Sequence, residues 1–139
     1  MLHTKLMHTL PTTPDVAFRY LTDMDLFASI HPVISKIQHK GNDRYLVFET
    51  LKMGPIPVSF RYPVVIRHDI SKYFVHMQAV IFNMTTVEMS FNLFEEKGFT
   101  TIEENIHIKS LPLLNSMTLG VIETQHNVLF ENIAKDLRH

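Results

Sequence analysis

Glu104 shares a strand face with Ile102, Ile106 and Ile108 in the segment Phe99 to Lys109. Burying a polar group without a partner costs roughly 1–3 kcal/mol. If that face is the inner one, Glu104 therefore needs a companion or a ligand. His8 shares the face of Leu6 and Leu10 in the first segment. If the first and last strands are antiparallel neighbours, one register sets His8 opposite Glu104. Gln125 falls on the inner face of the terminal helix and is a second candidate partner. A His8–Glu104 couple can shuttle a proton or orient a polar group of a ligand. These two are the candidate catalytic residues. The alternative is a Glu104 solvated near a sheet end and an ordinary, satisfied or exposed His8.

Other chemistries find little support. The chain has nine histidines but no His-Glu-x-x-His and no close His-x-His. His68, His76 and His107 are expected on polar strand faces. Glu123 and His126 form one Glu-x-x-His spacing, and one copy without further carboxylate-bearing helices does not build a di-iron site. With no cysteine there is no thiolate ligand, disulfide or cysteine nucleophile. No serine sits in a nucleophile-elbow glycine pattern, and no glycine-rich phosphate loop is present. No metal and no cofactor are expected. Lys plus Arg total 13 and Asp plus Glu 14, with no basic stripe, which argues against nucleic acid as a partner. No apolar run is long enough for a membrane span and no signal pattern opens the chain, so the cytoplasm is the default compartment.

The elements that must position these residues follow a clear order. A length of 139 residues with 45% hydrophobic and 19% charged suits one domain with its own core, taken as 1–139. Met1 to Leu10 alternates as a strand. Thr13 is placed to cap a helix, with Pro14 at its first position and Asp15 at the positive end of its dipole. Asp23 to Ile30 reads as a second short helix, stopped before Pro32. Strand-like segments then follow without a helical break: Val33–His39, Arg44–Met53, Val58 to Ile66, Tyr73–Phe82, Thr85–Phe94 and Phe99–Lys109. Gly54 to Pro57 reads as a rigid loop, and Pro63 marks an edge or a bulge. A helix from Pro112 to Leu137 closes the chain. Its length, about 39 Å at roughly 1.5 Å per residue, matches that of the strands. Met117, Val121, Val128 and Leu129, extended by Leu114 and Ile133, are its expected apolar face. Gly120 inside it has three open explanations: close packing, room for a ligand, or drift.

This order, and the run Thr13 to Ile37 with Pro14, Phe18, Leu21, Asp23 and His31-Pro32, resembles the START-like or SRPBCC superfamily. That superfamily includes Bet v 1-type plant proteins, polyketide cyclases and lipid-transfer domains. Many relatives carry Trp just before the Pro step, where this chain has Ile30. The resemblance implies an α+β helix-grip fold, a seven-stranded curved antiparallel sheet around the C-terminal helix. It also implies a cavity between sheet and helix for a small apolar or amphipathic molecule. Met53 to Pro57 stands where some relatives have a gating loop, though general turn statistics favour a stiff hairpin connection there.

The inner faces would supply Phe60, Tyr62, Met77, Met89 and Phe91 from the strands, and Met117, Val121 and Gln125 from the helix. With Glu104, these are the expected ligand-binding residues. Val58, Val75, Val87, Ile102 and Ile106 share those faces, and core filling competes with cavity lining for each. Three functions fit. The first is a binding or carrier module for a small hydrophobic or amphipathic molecule, which leads because no catalytic constellation is complete. The second is a cyclase or dehydratase acting on a polyketide-like chain. The third is a protein-interaction module like the chaperone activators of the superfamily.

Overall fold

Alternation of apolar and polar residues, the strand period, produces seven strands that pair into one antiparallel sheet. In the computed structural model, which describes residues 2–138, the elements run β1 (Leu2–Leu10), α1 (Pro14–Thr22), α2 (Met24–Ile30), β2 (Ile34–His39), β3 (Arg44–Met53), β4 (Ile56–Asp69), β5 (Phe74–Ile81), β6 (Thr85–Glu96), β7 (Phe99–Lys109) and α3 (Pro112–Asp136). Met1, the expected first residue of the opening strand, lies outside the described residues. The sheet order is β1-β7-β6-β5-β4-β3-β2, so all but one of the neighbours are consecutive hairpins and β1 joins the end of the series beside β7. The sheet curves around α3, which gives the helix-grip arrangement. Among the described residues, no helix is long and apolar enough to cross a membrane.

The short helices have the caps their sequence encodes. Thr13 Oγ1 accepts the Val16 N–H at 3.4 Å, and Pro14 occupies the first turn of α1. Asp23 ends α1 and caps α2 by accepting the Leu26 N–H at 3.2 Å. His31 then ends α2, and its Nδ1 accepts the backbone N–H groups of Val33 and Ile34, each at 3.2 Å.

Two expectations about β4 meet different outcomes. The loop expected over Gly54 to Pro57 is only a two-residue turn, because Met53 already pairs with Ile56. Gly54 supplies the left-handed φ of +66° that this turn needs. Pro63 does lie on an edge. The ladder to β5 begins at Val64, which leaves the first half of β4 paired with β3 alone.

The buried core joins the concave sheet face to α1, α2 and the C-terminal half of α3. There His126, Leu129, Phe130 and Ile133 are buried. The expected apolar face of this helix holds at Leu129 and Ile133 but not at Met117, Val121 and Val128. Met117 is 62% exposed, and Val121 and Val128 are exposed as well. The buried stripe follows Ile122, His126, Leu129 and Ile133 instead, at helical spacing, with Ile122 half-buried. Close packing does not explain Gly120, since a Cβ there would meet nothing within 4 Å.

Candidate ligand-binding cavity

Because α3 is anchored mainly on β1 and β7, its N-terminal half bridges open space above the middle of the sheet. A cavity of about 520 Å³ lies there, within the range of about 300–1,000 Å³ usual for small-molecule sites. Its rim carries exposed apolar side chains, namely Val58, Phe82, Met84 and Met117. Phe82 and Asn83 both hold left-handed φ values, +54° and +55°, in the β5–β6 turn. An aromatic rarely adopts that backbone, and here the turn sets Phe82 against Phe60, with ring centroids 5.2 Å apart.

The expected ligand-binding residues divide into two groups. Phe60, Tyr62, Met77, Met89, Met117, Val121 and Gln125 line the cavity. Phe91 and Glu104 do not line it, which corrects the expectation for both. They are 1% and 0% exposed and are sealed in the core. Val75, Ile102 and Ile106, from the same inward faces, are sealed likewise. All inward residues share one parity, but only those beneath the unanchored half of α3 reach the open space.

Glu104 sits at the centre of a buried three-residue network. The register sets Leu6 opposite Glu104, and His8 opposite Ile102, two residues away from the expected pairing. The shift preserves parity, so His8 still reaches across the diagonal. His8 Nε2 donates to Glu104 Oε1 at 3.0 Å, with its ring stacked on Phe130 at a centroid distance of 3.8 Å. The helix supplies His126 rather than Gln125, and His126 Nδ1 donates to Glu104 Oε2. Burial alone would push the Glu104 carboxyl up. The charge and hydrogen bond of His126, followed by those of His8, outweigh burial and hold it below the ordinary value.

The second polar group of the wall is a carboxyl–phenol pair on neighbouring strands. Tyr62 Oη donates to Glu49 Oε1 at 2.8 Å. Burial pushes the Glu49 carboxyl up, against the opposing effects of Tyr62 and His126. Burial and then Glu49 push the Tyr62 phenol well above its ordinary range, so it remains a neutral donor. The third group is His31, lowered from 6.5 to about 3 by burial and by His126. It is a neutral imidazole whose Nδ1 already accepts two backbone bonds. Its tautomer therefore carries the proton on Nε2.

Among the described residues, the one buried side-chain polar atom without a partner is Asn115 Oδ1. Nε2 of His126 and of His31 has no hydrogen-bond partner among the described residues, and both residues line the cavity. With Nδ1–H given to Glu104, His126 in its neutral form leaves the Nε2 lone pair free, and in its cationic form it supplies the charge that acts on Glu104 and His31. Among the described residues, no lysine or arginine lines it, and no cluster of three or more metal-ligating side chains occurs.

His31, Glu49 and His126 were missed as site residues. Glu49 carried the same signal that singled out Glu104, since it alternates in phase with Val47 and Leu51. His126 carried the helical spacing of the true buried stripe. His31 had no signal in its own element, because it enters the cavity as a helix terminator.

No protein-family model matches the sequence, and no curated protein does. Solved structures do match its fold. A START superfamily protein from Mycobacterium smegmatis superposes with a TM-score of 0.78 at 8% identity, over 98% of this chain and 97% of that one. Ara h 8.0201 gives 0.77 at 16% identity, over 96% and 95%. The Zhui aromatase/cyclase from Streptomyces sp. R1128 gives 0.70 at 10% identity, over 97% and 92%. The fold is thus START-like, and at these identities the likeness is one of fold alone.

Proposed function

We propose that this protein binds a small, uncharged, mainly apolar molecule in the cavity, with a hydroxyl or carbonyl group of that molecule at the inner polar end. The single observation behind this reading is the composition of the wall. An apolar enclosure of about 520 Å³ carries His126, His31 and the Glu49–Tyr62 pair in its wall, with no lysine or arginine among its described lining residues. A ligand carboxylate would meet no lysine or arginine there and would face the Glu49 carboxyl, so burying it would be costly. A hydroxyl or carbonyl finds both a donor, His31 Nε2–H, and an acceptor, His126 Nε2. Occurrence of the fold in a START superfamily protein and in an aromatase/cyclase is consistent with such a site. An interaction module without a cavity is disfavoured by the open volume.

Displacement of Nile red, an uncharged apolar dye, tests the reading. We expect 2-acetylnaphthalene to displace the dye at least about tenfold more effectively than 2-naphthoic acid at neutral pH. That ratio corresponds to about 1.4 kcal/mol. Equal potency, or tighter binding of the acid, would remove the argument for an uncharged ligand.

A further inference from the structure

The Glu104 network has a form that binding alone does not require. A ligand hydroxyl or carbonyl needs one donor or acceptor. Here a fully buried carboxylate takes one hydrogen bond from each of two imidazoles, from His8 at 3.0 Å and from His126. Only His126 of the three lines the cavity. A carboxylate on Nδ1 fixes the tautomer and plane of an imidazole and stabilises its cation, and this is how a histidine base is prepared for proton transfer. The His31 ring stands nearly perpendicular to that of His126, with centroids 6.4 Å apart. Both rings line the same cavity, and the Nε2 of each is without a protein partner.

We propose that the inner end of the cavity is an acid–base site that enolises a bound ketone, with His126 as the base and His31 as the donor to the carbonyl oxygen. The proposal rests on the reading of the ligand as an uncharged apolar molecule and names its reactive class, a carbonyl compound with a hydrogen on the adjacent carbon. In the step, the C–H bond breaks and its electron pair becomes the new C=C bond. The carbonyl π pair moves onto oxygen, where the His31 Nε2–H stabilises it. The proton goes to His126 Nε2, and the resulting imidazolium faces the Glu104 carboxylate through Nδ1–H. Return of the proton to carbon completes an exchange or an isomerisation without oxidant, reductant or co-reactant. Glu104 and His8 touch no substrate in this scheme and are positioning residues.

The test uses the full chain in D2O with 2-acetylnaphthalene, following loss of its methyl proton signal by NMR and measuring its dissociation constant separately. Wild type should exchange the methyl protons faster than buffer containing an equal concentration of free imidazole. His126→Gln should slow exchange at saturation about 100-fold or more, within the usual range for a lost general base, while binding stays within a few-fold. His126→Ala should regain exchange when imidazole is added, and this rescue also covers the case in which another variant folds poorly. His31→Asn keeps an acceptor for the Val33 and Ile34 amides but removes the donor to the carbonyl, so it should lower both affinity and the saturated rate. Glu104→Gln should lower the saturated rate rather than affinity. Tight binding with no exchange in wild type would overturn this proposal and leave the binding reading standing. Exchange that survives His126→Gln but is lost in Glu49→Gln would overturn the assignment of the base. Failure of 2-acetylnaphthalene to bind would overturn both readings together.

Discussion

Glu104, His31 and Glu49 are three ionisable groups removed from water, and each leaves a different mark on the pH dependence of stability. His31 has a folded value of about 3 against 6.5. Between those values the unfolded chain binds a proton that the folded chain refuses, so stability falls on acidification, at up to about 1.4 kcal/mol per pH unit. Glu104 is depressed in the folded state. Its contribution is present above the ordinary carboxylate value and is lost as pH falls through the lower folded value. Glu49 is raised, so it acts oppositely and costs stability as pH climbs above the ordinary value and through its folded one. Urea titrations across pH should show His31→Asn flattening the acid limb between 6.5 and 3. Glu49→Gln, in which the amide oxygen still accepts from Tyr62, should gain stability relative to the parent as pH rises. A parallel shift of the whole curve in either variant would contradict the assigned ionisation. Removing one member of the Glu104 network leaves a buried charge short of a partner. His8→Phe should therefore cost about 3 kcal/mol or more, read as a fall in Tm.

Among the elements, α3 shows how differently its two halves are used. The C-terminal half is held by burial of Leu129, Phe130 and Ile133. It is also held by Asn132 Nδ2 donating to Ile30 O at 2.9 Å and by Tyr20 Oη donating to Asp136 Oδ2. The N-terminal half contains no buried residue. Leu129→Ala should therefore cost about 2–5 kcal/mol, while Met117→Ser should change stability by no more than about 0.5 kcal/mol and still weaken ligand binding. Gly120→Ala should stabilise by about 0.5–1 kcal/mol, since nothing opposes its Cβ. Denaturant midpoints decide all three. The same contrast explains what the sequence made legible. Strand bounds such as Arg44–Met53 and Phe99–Lys109 were read directly, because a period of two leaves little ambiguity. The caps of α1 were read from Thr13, Pro14 and Asp15. The face of α3 was read correctly at Leu129 and Ile133 but misjudged in its N-terminal half, because Met117 and Val121 are apolar for the sake of a cavity rim, and a hydrophobic pattern treats rim and core alike. Only the Ile122–His126–Leu129–Ile133 spacing separates them, and it requires accepting a histidine as a core residue.

For the whole molecule, parity located the inner surface of the sheet but not the boundary between sealed core and open cavity. Met89 and Phe91 are both inward residues of β6, yet Met89 lines the cavity and Phe91 lies in the core under His126 and Phe130. That division depends on where α3 leaves the sheet, a property of packing between distant segments. It is testable by size. Met89→Trp should fill open volume and weaken Nile red binding about tenfold or more with little loss of Tm. Phe91→Trp should overpack the core and cost about 1–3 kcal/mol. Similar effects of the two substitutions would mean that the cavity is not where the wall residues place it.

The uneven anchoring of α3 also bears on how the chain opens at equilibrium. Amide protons report the free energy of the smallest opening that frees them, and segments with few buried contacts open first. In hydrogen–deuterium exchange, amides from Leu119 to Gln125 should lose protection well before those from Leu129 to Ala134, although all belong to one uninterrupted helix. A bound molecule would bridge the early-opening half to the sheet and slow its exchange towards that of the other half. The helix would then report occupancy of the cavity through its own amide clock, without a dye, a spectroscopic label or knowledge of the ligand.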